Sequence, residues 1–137
     1  MTKLFWDTNV FLDAMLQNRE FKEAPISILN SCSNGEILGY TSGISFANIT
    51  YFLQKATTSN ADILLRQILK SVQIITLEKE DFAKALSYKF KDIEDAYQLV
   101  AAQKVTDVEF LITRNIKDYK QSPIPIVTPE QYEKQGY

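Results

Sequence analysis

The 137-residue chain contains no histidine. That absence removes Ser-His-Asp and Cys-His catalysis, the helical His-Glu-x-x-His zinc site, and imidazole as a general base. Cys32 is the only cysteine, so neither an intrachain disulfide nor a cysteine-based zinc site can form. Glycine and proline number four each, and no stretch reads as a flexible linker or low-complexity tail. There is no run of about 18 apolar residues and no basic-then-apolar opening, so neither a membrane span nor a secretory signal is expected. Positive charge is not in excess either. Fifteen Lys/Arg against seventeen Asp/Glu give a net charge of -2, which is no footprint for grasping bulk nucleic acid. A nucleic-acid substrate held locally, or through a bound cation, remains compatible with that balance. Chemistry here must run on carboxylates, hydroxyls, amines or amides.

What is present is an ordinary globular composition, 45% hydrophobic and 23% charged. The length favours one domain over residues 1–137, cytoplasmic in character, burying roughly 70% of the unfolded chain's surface. Lys3 to Trp6 is a short apolar strand ending in the polar Asp7-Thr8-Asn9. From Val10 the pattern turns helical, with Val10, Phe11, Ala14 and Met15 on one face. A second helix runs from Glu23 to about Ser33 and stops at Asn34-Gly35. Ile37 to Thr41 reads as a strand and Ser42 to Ala56 as a helix. Further helices are expected over Asn60 to Ser71, Lys79 to about Lys89, and Asp92 to Lys104. Val72 to Leu77, Glu109 to Thr113 and Ile124 to Val127 read as strands. Thr128-Pro129-Glu130-Gln131 has the form of a capping box opening a short last helix. Alternating strands and helices, with nearly continuous apolar strands, predict a three-layer α/β/α sandwich around a parallel sheet.

Ligands of open parallel sheets bind beyond the carboxyl ends of the strands. Polar residues fall there. Asp7 follows the first strand, and Thr113, Arg114, Asn115 and Asp118 follow the strand that ends near Ile112. Asp92 and Asp95 open a helix whose N-terminal end lies on the same edge. Leu99 lies about 40° round that helix from Asp95 and Ala102 about 20° the other way, so Asp95 borders the buried stripe. Glu94, about 100° away, is expected to project with Tyr97 and Gln98 toward the other side. Two carboxylates about 4 Å apart repel by roughly 4 kcal/mol at an effective dielectric of 20, so a cation or a proton is expected to neutralise such a group. For oxygen-only ligands the fitting ions are Mg²⁺ or Mn²⁺, which suits phosphoester chemistry. Plainer roles compete at several positions. Asp92 suits a helix N-cap, Asp13 an ion pair or cap, Asp7 a turn, and Asp118 the end of a short helical turn.

The segment Phe5-Trp6-Asp7-Thr8-Asn9-Val10-Phe11-Leu12-Asp13 resembles the opening motif of PIN domains, the fold of VapC-type toxin ribonucleases. Asp92-Ile93-Glu94-Asp95-Ala96-Tyr97-Gln98 resembles the third acidic motif of that family, and Leu111-Ile112-Thr113-Arg114-Asn115-Ile116-Lys117-Asp118-Tyr119 the fourth. Their order and spacing carry the resemblance across nearly the whole chain. It implies Mg²⁺ or Mn²⁺ bound by acids to activate water against an RNA phosphodiester. Matched by position, the catalytic and metal-binding acids are Asp7, Asp95 and Asp118, with Asn9, Asp92, Thr113 and Asn115 in support. Asn115 stands where many relatives place an aspartate. Asn48, within Thr41 to Ile49, stands where the family usually carries a glutamate, which matches a branch of PIN-like proteins with asparagine there. The exchange removes one negative charge and implies weaker metal binding.

Lys89, Lys91, Arg114, Lys117 and Lys120 flank the acidic motifs. Arg114 and Lys117 are the candidate phosphate contacts, Arg114 through a bidentate fork; ordinary solvated side chains are the alternative. The Ser42 to Ala56 helix carries Phe46, Ile49 and Leu53 on one stripe and Ile44, Asn48, Tyr51 and Phe52 on another. It suits either a subunit contact or burial within the monomer. The resemblance further implies a homodimer and an antitoxin protein partner. A catalytically weak PIN-like subunit that binds RNA or protein is the competing function, favoured by Asn48. A haloacid-dehalogenase-type phosphatase fails at Asn9, which cannot act as the second acid, and a phosphorelay receiver fails at Leu77-Glu78-Lys79.

Overall fold

Lys3–Trp6 forms β1, and it lies at the centre of the sheet. Leu4, Phe5 and Trp6 are all fully buried. Successive strand side chains point to opposite faces, so burial of all three requires cover on both sides. The computed structural model of the chain describes residues 1–16, 20–56 and 60–135. After β1 come α1 (Thr8–Met15), α2 (Glu23–Ser33), β2 (Leu38–Ser42) and α3 (Gly43–Ala56). They are followed by α4 (Ala61–Ser71), β3 (Val72–Ile75), α5 (Lys79–Leu86) and α6 (Ile93–Gln103). β4 (Phe110–Ile112), a 3-10 turn over Ile116–Tyr119, β5 (Ile126–Val127) and α7 (Pro129–Gln135) complete the order.

The sheet has strand order β3-β2-β1-β4-β5, and every pairing is parallel. On one face Leu4 and Trp6 pack with Phe11, Ile28, Ile49 and Ile68, which belong to α1 through α4. On the other, Phe5 and Leu111 pack with Leu99, Ala102 and Tyr119. This is the α/β/α sandwich expected from the alternation of elements. None of the described helices is long and apolar enough to cross a membrane.

Several boundaries moved. β2 begins and ends one residue later than the apolar run suggested. β3 stops at Ile75, two residues short of Leu77, and the Glu78 backbone N–H donates to Asp81 Oδ2, 2.8 Å away, in the capping box that opens α5 at Lys79 as expected. α5 ends at Leu86, three residues short of Lys89. Gly35, with φ of 78°, follows the end of α2 in the left-handed conformation that the Asn34-Gly35 pair forecast. Gly39 is demanded by packing instead. A Cβ there would meet the Val72 side chain at 2.8 Å and Cys32 Sγ at 2.9 Å.

Candidate active site

The strand order changes direction at β1, so the crevice above the carboxyl ends of β1, β2 and β4 is where a ligand fits. A cleft of about 430 Å³ opens there, and Asp7, Asn9, Asn48, Glu94, Asp95 and Asn115 line it. Asp7 is fixed from several directions. Its N–H extends the β1–β4 ladder to Ile112 O at 2.9 Å. Its Oδ1 accepts from Thr8 N at 2.7 Å, capping α1. Its Oδ2 accepts from the Thr113 hydroxyl at 2.7 Å and the Tyr119 hydroxyl at 3.1 Å. One aspartate thus joins β1, α1, β4 and the 3-10 turn.

Asp95 arrives from the first turn of α6, which Asp92 caps by accepting from Glu94 N at 3.0 Å. Asp92 therefore has the plainer of its two roles at least. The Tyr119 hydroxyl also reaches Asp95 Oδ1, at 3.4 Å. The Asp7 and Asp95 carboxylates flank a single phenol oxygen, and no described ion pair involves either of them. Burial above all pushes the Asp7 carboxyl above its ordinary range, against the hydrogen bonds from Thr113, Thr8 and Tyr119; the charge of Asp118 adds to the rise. Burial likewise raises Asp95 to about 7, helped by the charges of Asp7, Asp92 and Asp118. Two acids that both resist ionisation in one crevice mark a place where positive charge is wanted.

The expectation for the far side of α6 is overturned. Gln98 is buried, and Glu94 faces the same cleft as Asp95. Ala96 and Gln98 through Ala102 are all buried, because α6 is enclosed by the sheet and α5, with Tyr97 edge-on to Phe82. There is no outward face for Gln98 to take. Its amide instead satisfies the polar floor beneath the cleft. Oε1 accepts from Ser42 Oγ at 2.8 Å, while Nε2 donates to Ser45 Oγ and to Thr8 Oγ1. Thr8 Oγ1 in turn donates to Ser45 Oγ at 2.9 Å. This floor locks the starts of α1 and α3 to α6.

The remaining candidates divide. Thr113 is buried and holds Asp7. Asn9 Oδ1 accepts from Arg114 N at 3.2 Å, fixing the turn after β4. Asn48 Nδ2 approaches Glu94 Oε2 at 3.5 Å across the cleft. Asn115 lines the cleft, whereas Asp118 and Lys117 sit exposed in a neighbouring depression. Asp118 is near enough to raise both inner aspartates, but it does not line their cleft. Among the described residues, no group of three acidic side chains is close enough together to hold a metal ion. The expected convergence of three acids is therefore a convergence of two, with Glu94 opposite and Asp118 at the rim.

Arg114 is a correction. Its guanidinium does not offer a fork to phosphate: Nε donates to Asp13 Oδ2 at 2.9 Å, and Nη1 donates to Glu130 of α7. The group also lies over the Phe21 ring, 5.2 Å from its centroid. Thr113 and Arg114 are adjacent but serve opposite sides of the turn, one the cleft and the other the α1–α7 seam. Asp13 takes the ion-pair role foreseen for it. On α3, Ile49 and Leu53 are fully buried, whereas Tyr51 and Phe52 are 55% and 44% exposed on the cleft wall. Burial within the monomer therefore does not account for those two rings.

The oxygen-only donors suit a small hard cation. Mg²⁺ takes one or two carboxylates at about 2.0–2.1 Å and keeps several waters, so Asp7 and Asp95 suffice as its anionic ligands. Asn9, Asn48 and Asn115 add neutral amide groups around the same opening.

A family model described as PIN domain matches residues 3–117. No curated protein sequence matches the chain. Among solved structures, a toxin–antitoxin complex from Klebsiella pneumoniae is similar with a TM-score of 0.69 and 25% identity, covering 92% of this chain and 97% of that one. VapBC2 from Rickettsia felis, bound to a DNA fragment from its promoter, gives 0.67 at 16% identity over 93% and 98%. The sarcin-ricin-loop-cleaving toxin VapC20 of Mycobacterium tuberculosis gives 0.62 at 11% identity over 79% and 86%.

Proposed function

The chain belongs to the PIN-domain family, and from that premise we propose that it is a divalent-metal-dependent endoribonuclease, the toxin half of a toxin–antitoxin pair. The observation that carries this reading is the Asp7–Asp95 pair: two carboxylates held apart by a phenol, both raised above their ordinary range, without a described basic partner. A bound Mg²⁺ or Mn²⁺ would shield a phosphodiester's charge and lower the pKa of a water held beside it. Asp7 and Asp95 hold that cation, and Thr113 and Thr8 keep Asp7 oriented for it. Asn48, Glu94 and Asn115 complete the opening, with Asp118 and Lys117 at the rim where an RNA backbone leaves. Tyr51 and Phe52 present flat apolar surfaces on the cleft wall, suited to unpaired bases.

An antitoxin protein is a proposed partner, by likeness to the toxin–antitoxin neighbour, and a second copy of the chain is proposed beside it, as the family resemblance implies. A weak or inactive binding subunit is the second reading. What favours it is Asn48, together with the convergence of two aspartates rather than three among the described residues. RNA cleavage by purified protein with Mn²⁺, lost in Asp95→Asn, is the expected result. RNA that stays intact while still binding the protein would select the second reading.

A further inference from the structure

Tyr119 ends the 3-10 turn after β4, and its ring is 2% exposed. The ring packs edge-on against Phe90, centroids 5.9 Å apart, in the apolar layer with Phe5, Leu99 and Leu111. A phenylalanine would fill that layer as well, so packing does not explain the oxygen. A buried hydroxyl needs partners to offset its lost hydration, and this one shares its single proton between two carboxylates, the shorter contact being to Asp7. The two acceptors are not equally held. Asp7 keeps Thr8 N and the Thr113 hydroxyl if the phenol is removed. Among the described residues, Asp95 has the Tyr119 hydroxyl as its only side-chain donor.

We propose that Tyr119 is a positioning residue of the cation site, whose hydroxyl links the Asp95 carboxylate to the more firmly held Asp7. The tether joins the first turn of α6 to the end of β1, so a divalent cation meets two ligands already oriented. Of the roughly four lone-pair positions on the Asp7 carboxylate, three are occupied by described protein donors, which leaves one for a cation. Asp95 supplies the complementary ligand only when it is turned the same way. This inference rests on the metal-dependent reading for its cation and on the two hydrogen bonds alone for its tether.

The test uses Tyr119→Phe, which deletes one oxygen and keeps the ring. Calorimetric titration with Mn²⁺ should show the dissociation constant rising about tenfold, as expected when a partner that orients a metal ligand is lost. In parallel, thermal unfolding of metal-free protein should show Tyr119→Phe lowering Tm by about 3 °C. The same change made on top of Asp95→Ala should lower it by less, because only the hydrogen bond to Asp7 then remains to be lost. Unchanged or tighter Mn²⁺ binding in Tyr119→Phe would overturn the proposal, as would equal Tm losses in the two backgrounds. If the wild type takes up no Mn²⁺ at millimolar concentration, the metal-dependent reading fails, and the Tm comparison still decides whether Tyr119 tethers Asp95.

Discussion

Two carboxylate pairs lie on either side of the turn after β4, and they are treated in opposite ways. Asp13 and Glu130 share the Arg114 guanidinium, which ties α1 to α7. Asp7 and Asp95 share only the hydroxyl of Tyr119, and both are raised above their ordinary range. The same chain therefore neutralises acids with an arginine where the fold needs a joint and leaves them without a described basic partner at the carboxyl edge of its sheet. A buried carboxylate and a half-buried one, held by hydroxyls and an amide N–H with no described cation to offset their charge, are a sign of function.

Substitutions can break that contrast from either side. The largest effect is expected from Asp7→Asn: RNA cleavage with Mn²⁺ should fall by roughly 10³-fold, because charge stabilisation in a desolvated site is commonly worth that much. Retained cleavage would remove Asp7 from the chemistry. Next comes Arg114→Met, which removes the guanidinium that Asp13 and Glu130 share. Chemical denaturation should show a loss of about 2 kcal/mol, less than for a wholly buried pair because these groups are partly solvated. KM for RNA should be unchanged in the folded fraction, whereas a large rise would return Arg114 to the substrate.

The acid pair should also mark the pH dependence of stability. Asp95 binds its proton up to about 7 in the folded metal-free protein, against an ordinary value of 3.8. Between those values the folded state holds more protons than the unfolded one, so stability falls as pH rises through this window and levels off above it. Asp7 acts in the same direction. Melting curves from pH 4.5 to 8 in the absence of metal should show that decline, flattened in Asp95→Asn. A Tm that climbs with pH in the wild type, then drops in Asp95→Asn, would show that Asp95 is ionised and paired after all. The smallest effect is expected from Asn48→Glu, which adds an acid facing Glu94 and should tighten Mn²⁺ binding by no more than about tenfold. Unchanged affinity would put Asn48 outside the cation's reach.

Local patterns made the scaffold legible. Apolar strands that end in Asp7 and near Thr113, the cap at Asp92 and the glycine after α2 all follow from neighbours in sequence. What stayed hidden depends on distant partners. Glu130 lies on another helix from Asp13, so nothing near Arg114 shows that its fork is occupied. Tyr119 reads as core from its type, and only the turn after β4 brings its oxygen between two acids. Gln98 was within reach of helical geometry. Three residues on, it stands about 60° round from Asp95 and shares its buried border. Glu94 could not be placed the same way, because the cleft opens above the first turn of α6 and admits both neighbours.

Calorimetric titration of the metal-free protein with Mn²⁺, comparing wild type, Asp95→Asn and Asp13→Asn, tests most directly whether the pair under the cleft awaits a cation. Saturable binding in the wild type and in Asp13→Asn, lost in Asp95→Asn, is the predicted result. Equal binding in all three proteins, or none in the wild type at millimolar Mn²⁺, would contradict it.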